Sequence, residues 1–259
     1  MNEKLLENLL QNTREVFNKF STARLDFLDN FVLVGGSALA IRLGHRQSED
    51  LDFFTHKDWF DKKNILSVSN LFKDYEILLN GKEQIDLLCD KVKVTFMNAS
   101  SNQAWHFLSP SSSAEENKIE GINIATIDQL SAMKVHALFL RSVFRDYYDN
   151  YVLSKYHIGL ENMYNNAYKY IPGMSFRLFS TALTYTKDIK DENIEYLKPK
   201  YKVTKEEIQS YFEKEIKEYI EKELIKSKNQ HITPIEDEPD AFTKDLQNRL
   251  GNGRGGWGR

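Results

Sequence analysis

The chain has a single cysteine, Cys89, among its 259 residues. No intrachain disulfide can therefore hold the fold, and the pattern fits a reducing compartment. Apolar neighbours mark that thiol as a buried structural group rather than a nucleophile. No hydrophobic run reaches the length that spans a bilayer. The first ten residues, MNEKLLENLL, mix charge into an amphipathic pattern and lack a signal-peptide core, so the expected location is the cytoplasm. Basic charge is not in surplus either. The 35 Lys and Arg residues face 38 Asp and Glu, leaving −3, so any contact with nucleic acid must use a local basic surface. The six histidines are scattered without ligand spacing and give no sign of a zinc site. No internal repeat is present.

What remains is an ordinary hydrophobic content of 41%, enough for one large domain or two small ones. Its most informative stretch is FVLVGGSALAIRLGHRQSEDLDFF, residues 31 to 54. Phe31 to Val34 reads as a strand, Gly35-Gly36 as a turn, and Ser37 to Ile41 as the start of a helix. Leu51, Phe53 and Phe54 mark a second strand. Asp50 and Asp52 lie two apart on it, so their side chains leave the same face. Two carboxylates that close repel unless a cation sits between them, and oxygen ligands suit magnesium or manganese. The helix opened by the glycine turn presents free N–H groups that favour a phosphate. A phosphate cradle beside a paired-carboxylate metal site is what nucleotidyl transfer needs.

The rest of the chain organises around that core. Residues 2 to 20 have the spacing of an amphipathic helix. Phe60 to Phe72 predicts a helix and Tyr75 to Leu79 a strand. Gln84 to Cys89 and Val92 to Met97 predict two strands joined at Asp90-Lys91. Residues 100 to 121 are polar and serine-rich, a long loop. Thr126 can N-cap a helix carrying Lys134, and further helices are expected over 157 to 170, 174 to 186 and 204 to 226. Residues 187 to 205 interleave lysines with tyrosines, the composition of either an exposed linker or an RNA-contacting patch. The tail GNGRGGWGR has no core-forming pattern. The expected fold is α/β (α+β), with a mixed sheet followed by helices. Residues 1–125 form the catalytic part, 126–228 a helical part carrying Lys134 and Arg145 to Asp149, and 229–259 an extension.

The Gly-Ser turn followed after a gap by Asp-x-Asp resembles the minimal nucleotidyltransferases of the DNA polymerase β superfamily. The extended string, with His45-Arg46, Ser48 and Asp50-Leu51-Asp52, is similar to the AbiEii/AbiGii toxin family. A second block, IDQLSAMKVHALFLRSVFRDYYDNYVL at 127 to 153, resembles that family's Asp, helix-borne Lys and Arg-Asp-x-x-Asp element at Asp128, Lys134, Arg145, Asp146 and Asp149. The resemblance covers residues 30 to 155. It implies a metal-dependent enzyme that moves a nucleoside monophosphate from an NTP to an acceptor hydroxyl. It also implies the toxin of a bacterial type IV-like toxin–antitoxin pair, with the tRNA 3′ end as acceptor and a separate antitoxin protein as partner.

In that reading Asp50 and Asp52 hold magnesium or manganese, and Ser37 donates its hydroxyl or its amide to a terminal phosphate beside Gly35 and Gly36. Lys134 faces phosphate. Arg46 either reaches phosphate or forms a structural ion pair. Arg145 and Asp149 support the nucleotide site from a shared helix face if the helix continues past Arg141. The superfamily's sites commonly draw a third carboxylate from a neighbouring strand, but here that strand reads Val92-Lys93-Val94-Thr95. A two-residue turn at Asp90-Lys91 would set Asp86 opposite Thr95, where it could supply the missing acid. Otherwise the site has two carboxylates. Two other functions fit the same residues, a nucleotidyltransferase acting on a small-molecule hydroxyl and a nucleotide-binding module without turnover.

Overall fold

The computed structural model describes residues 2–56, 60–100 and 117–230. Most of the serine-rich stretch expected as a long loop, and the whole C-terminal tail, lie outside them. The N-terminal helical pattern is realised as two pieces, α1 (Asn2–Leu6) and α2 (Gln11–Ala23). β1 (Val32–Val34) feeds directly into α3 (Gly35–Leu43), and β2 (Leu51–Thr55) follows. A short helix α4 (Lys62–Leu66) runs into a 3₁₀ turn over Ser67–Leu71. β3 (Tyr75–Asn80), β4 (Gln84–Cys89) and β5 (Val92–Asn98) complete a five-stranded mixed sheet in the order β1-β2-β5-β4-β3. β2 and β5 run parallel, and the other neighbours are antiparallel. A small ribbon, β6 (Lys118–Ile119) and β7 (Ile122–Asn123), precedes the helices.

Alternation along the strands separates core from chemistry. Leu51 and Phe53 of β2 are fully buried, as are their β5 partners Val94 and Phe96. Phe53 stacks on Phe96 with centroids 5.3 Å apart, and Phe20 of α2 meets both rings edge-on. Because side chains alternate, Asp52, between Leu51 and Phe53, and Thr95, between Val94 and Phe96, emerge on the opposite face.

The β4–β5 connection is the tight turn read from the sequence. Asp90 and Lys91 both have positive φ, 47° and 70°, the backbone of a two-residue hairpin whose twist matches its strands. The Asp90 carboxylate accepts from the Lys73 and Asp74 amides and from Lys19. Those amide bonds, with Lys19, hold its carboxyl below the usual range. Cys89, beside the turn, is buried, and burial pushes its thiol up to about 12, as suits an inert structural group.

The helical region begins at α5 (Ile127–Leu140), opened by a capping box in which Thr126 and Gln129 exchange side chain–backbone hydrogen bonds. α6 (Phe144–Leu153), α7 (Gly159–Tyr170), α8 (Phe176–Thr184) and α9 (Lys205–Gln230) follow. Arg141 adopts an extended conformation, φ −160° and ψ 146°, so α5 and α6 are separate helices. The expected continuous face of Arg141, Arg145 and Asp149 is therefore absent. Met1–Glu213 is one compact unit that includes the sheet and the helices through α8; Lys214–Arg259 is a second. In the latter, α9 carries exposed Lys214–Glu218 and Lys226–Glu223 ion pairs, each a minor contribution to helix stability. No helix among the described residues is long and apolar enough to cross a membrane.

Candidate active site

The β1–α3 junction is shaped by what lies against it. Gly35 has φ +70°, and a Cβ there would stand 2.6 Å from Asp52 Oδ2. Both the left-handed backbone and the close carboxylate demand glycine. A Cβ on Gly36 would meet Arg46 Nη2 at 3.0 Å and Ser48 Oγ at 3.1 Å. The α3 N-terminus has no side-chain cap and no acid in its first turn. Its leading amides, which have no intrahelical acceptor, are therefore presented beside the acids. Ser37 has two donors at this junction. Its buried hydroxyl donates to the Asp50 carbonyl and so braces the acid-bearing segment, leaving the amide as its group at the helix terminus.

Asp50 and Asp52 share a crowded, negative environment. Burial, reinforced by the Asp50 charge, pushes the carboxyl of the half-buried Asp52 up to about 6. Burial and the neighbouring Glu49 raise Asp50. Opposing them are four cations. Lys134, Lys93 and Arg141 favour the ionised form of Asp52, and Arg145, Lys93 and Arg141 that of Asp50. This donor set, two destabilised carboxylates at the mouth of an uncapped helix, fits a divalent cation with oxygen ligands.

Across the sheet, Asp52 pairs with Thr95, and Thr95 pairs with Asp86. The register inferred from the hairpin therefore holds, and the three residues form one row on one face. The carboxylate of Asp86, however, is engaged elsewhere. It accepts from Gln84 Nε2 at 2.8 Å and pairs with Lys93 Nζ at 3.2 Å. Among the described residues, no three His, Cys, Asp or Glu side chains converge closely enough to hold a metal. Asp86 thus stands in the same row as the acid pair, with its carboxylate turned to Gln84 and Lys93.

Behind the acids lies a buried ion network. Asp149 is fully buried. It receives Arg46 Nε at 2.7 Å and Nη2 at 2.8 Å, Lys134 Nζ at 2.6 Å, and His45 Nε2 at 2.7 Å. Lys134 also donates to Asp146 at 3.0 Å, and Arg141 Nε reaches the same carboxylate at 2.7 Å. Asn150 ties the helices together by donating to the Lys134 and Asp146 carbonyls. Arg46 forms the ion pair that was one of its two expected roles, with its Nη1 bonded to the Gln47 carbonyl. Lys134 is buried and shared between Asp146 and Asp149, yet its charge still acts on Asp52. Asp149 fixes the position of the Lys134 ammonium through their 2.6 Å pair. Arg145 instead pairs with Glu49 at 2.7 Å.

Lys93 and Arg141 act on both acids, although neither stands out as a site residue in the sequence. The first was legible in principle, because it lies two residues from Thr95 on β5 and shares its face. Arg141 arrives through the α5–α6 break, which no local pattern marks.

The network makes a prediction about pH. Burial alone would raise the Asp149 carboxyl, but Arg46 and Lys134 hold it well below its ordinary value. Burial also lowers the His45 imidazole, against the opposing pull of Asp149. Both folded-state values lie below the unfolded ones, so each group contributes stability that is complete above its unfolded pKa and lost as pH falls. The melting temperature should decline first below about 6.5, through His45, and then more steeply below about 4, through Asp149. Thermal melts across pH 3 to 8 test this; a flat profile would contradict the network.

Residues 20–107 match the family described as nucleotidyl transferase AbiEii toxin, Type IV TA system. The chain is 29% identical over 214 residues to the uncharacterized protein aq_aa25 of Aquifex aeolicus (strain VF5), covering 81% of this chain and 96% of that one. Two solved Helicobacter pylori chains share its broad outline at 20% identity. JHP933 does so with a TM-score of 0.48, over 83% of this chain and 96% of its own. The other, provisionally named a nucleotidyltransferase, has a TM-score of 0.46, over 85% and 99%.

Proposed function

With its 20–107 segment similar to the AbiEii toxins, we propose that this chain is a metal-dependent nucleotidyltransferase, the toxin of a type IV-like toxin–antitoxin pair. It would transfer a nucleoside monophosphate from an NTP to an RNA hydroxyl, with the tRNA 3′ end as acceptor. One observation carries the reading: the uncapped α3 N-terminus abuts Asp52 and Asp50, and Lys93, Arg141, Arg145 and Lys134 act electrostatically on those acids. Helix amides and exposed cations favour a polyphosphate, and the acids favour its counter-ion.

In the proposed reaction the acceptor oxygen attacks the α-phosphorus, its proton is released, and the bond to the β-phosphate breaks with pyrophosphate leaving. Residues 1–125 supply Asp50, Asp52 and the helix amides, while the region from 126 contributes Lys134, Arg141 and Arg145. Magnesium or manganese held by Asp50 and Asp52 would neutralise phosphate charge and acidify the attacking hydroxyl. Lys93 and Arg145 are placed to attract the triphosphate, with Asp86 and Glu49 holding them in position. A separate antitoxin protein is the implied partner.

Incubation with labelled NTPs, magnesium and total RNA tests the reading directly. Label on RNA supports it. Label on a small hydroxyl compound alone would point to the small-molecule enzyme, and binding without transfer to an inactive module. The acid pair also separates two neighbours. Lys93→Ala should weaken NTP binding by about tenfold, the scale of one charge-assisted contact, with little change in melting temperature. Asp86→Ala should cost only a few-fold, because it acts through Lys93. A loss equal to that of a metal ligand would make Asp86 a third acid.

A further inference from the structure

Away from the acids, α6 ends in a π-helical turn over Ser154–Ile158, a widened geometry that recurs at functional sites. The turn carries Tyr156 parallel to Tyr201, with centroids 4.0 Å apart and planes 5° from coplanar. Lys155 Nζ lies 4.9, 5.5 and 5.6 Å from the ring centroids of Tyr151, Tyr156 and Tyr211. Lys200 Nζ stands 5.3 Å from the Tyr201 centroid. These side chains line a cavity of 490 Å³ whose other charged members are Lys202 and Glu207.

Three features distinguish the cluster from a packed core. Tyr156 is 42% exposed, so its ring remains accessible. The charged lining is three lysines against one glutamate, a local excess of positive charge in a chain of net charge −3. The segment bearing Lys200 and Tyr201 is also fixed in place. The Lys200 amide donates to the His45 carbonyl at 2.8 Å and the Tyr201 amide to the Tyr148 hydroxyl at 3.1 Å. His45 in turn bonds Asp149, so the tyrosine platform is pre-organised by the same buried network that backs the acid pair. Stacked aromatic faces interleaved with cations suit a ligand that alternates planar bases with phosphates.

We propose that this tyrosine–lysine platform binds single-stranded RNA, the acceptor strand of the reaction. A base extends the Tyr156–Tyr201 stack, and Lys200 and Lys202 hold the flanking phosphates. The assignment rests on the transfer reading for the identity of the acceptor, but binding can be measured without turnover.

The experiment is fluorescence anisotropy of the full chain with a short fluorescent single-stranded RNA, without NTP, over a range of salt. Tyr156→Ala should weaken binding by about 5- to 150-fold, the range for losing one stacked base, while Tyr156→Phe retains it. Lys200→Glu, which leaves its backbone bond to His45 untouched, should weaken binding and lower the salt slope by about 0.7 for the lost phosphate contact. ATP binding should be unchanged in all three. If the wild type does not bind the RNA, or if Tyr156→Ala and Lys200→Glu bind it as the wild type does, the platform is not an RNA site. Should Tyr156→Ala fail to fold, Lys200→Glu decides alone. RNA labelling that persists at the wild-type KM in Tyr156→Ala and Lys200→Glu overturns only this proposal. Variant-sensitive RNA binding with no transfer to any acceptor overturns only the transfer reading.

Discussion

Asp149→Ala should lower the melting temperature by about 6 to 20 °C. Asp149 is fully buried and neutralises Arg46 and Lys134 at 2.6–2.8 Å. Removing it leaves two buried cations facing one remaining acid, Asp146. Breaking a buried pair from one side costs about 3–5 kcal/mol, and in a chain of this size each kcal/mol moves the midpoint by about 2–4 °C. The loss comes mainly from stranded charge rather than from lost attraction, which gives a second test. Adding Arg46→Met to the Asp149→Leu variant should recover part of the stability, because an apolar pair needs no compensation. A melting temperature within about 2 °C of wild type for Asp149→Ala would mean that Asp149 does not neutralise Arg46 and Lys134 in the fold.

Asp52→Asn should have the opposite signature, with activity lost and stability kept or improved. The acid pair is the site of the proposed counter-ion, whose contribution to the transition state is several kcal/mol. At about 1.4 kcal/mol per tenfold in rate, transfer should fall by at least about a hundredfold. Asp52 is meanwhile held at a cost to the fold. Burial and Asp50 push its carboxyl up to about 6, and an uncharged amide of the same shape removes that repulsion. The measurement pairs labelled-NTP transfer with a thermal melt in the absence of metal. Near-normal transfer would remove Asp52 from the site. A sharp fall in melting temperature would recast it as a structural residue.

The two aspartates differ in how far local sequence reveals them. Asp52 is visible because period-two alternation in β2 places Leu51 and Phe53 in the core and Asp52 on the other face. The Gly35-Gly36 break likewise announces the strand-to-helix junction, and Asp90-Lys91 is short enough to set the β4–β5 register, so the Asp86–Thr95 pairing followed from counting residues. The Thr126 cap was readable for the same reason, since its partners lie within one helical turn. Each of these is settled by steric and hydrogen-bonding preferences acting over a few residues.

Tertiary structure decided which charges meet. Nothing within a local window indicates that Arg46 turns inward to Asp149 across 103 positions, or that Ser37 spends its hydroxyl on the Asp50 carbonyl. Lys134 reads equally well as a phosphate ligand or as a buried bridge until α6 is packed against α5. Even the α5–α6 break at Arg141, which removes a four-residue periodicity from one face and delivers that guanidinium to Asp146, depends on where the partner helix lies. Backbone alternation and turn chemistry are local energies, so the sequence by itself determined the strand-turn-helix core and its paired acids. A buried charge takes its position from whichever opposite charge the fold brings within hydrogen-bond reach, and only the packed structure could assign those partners.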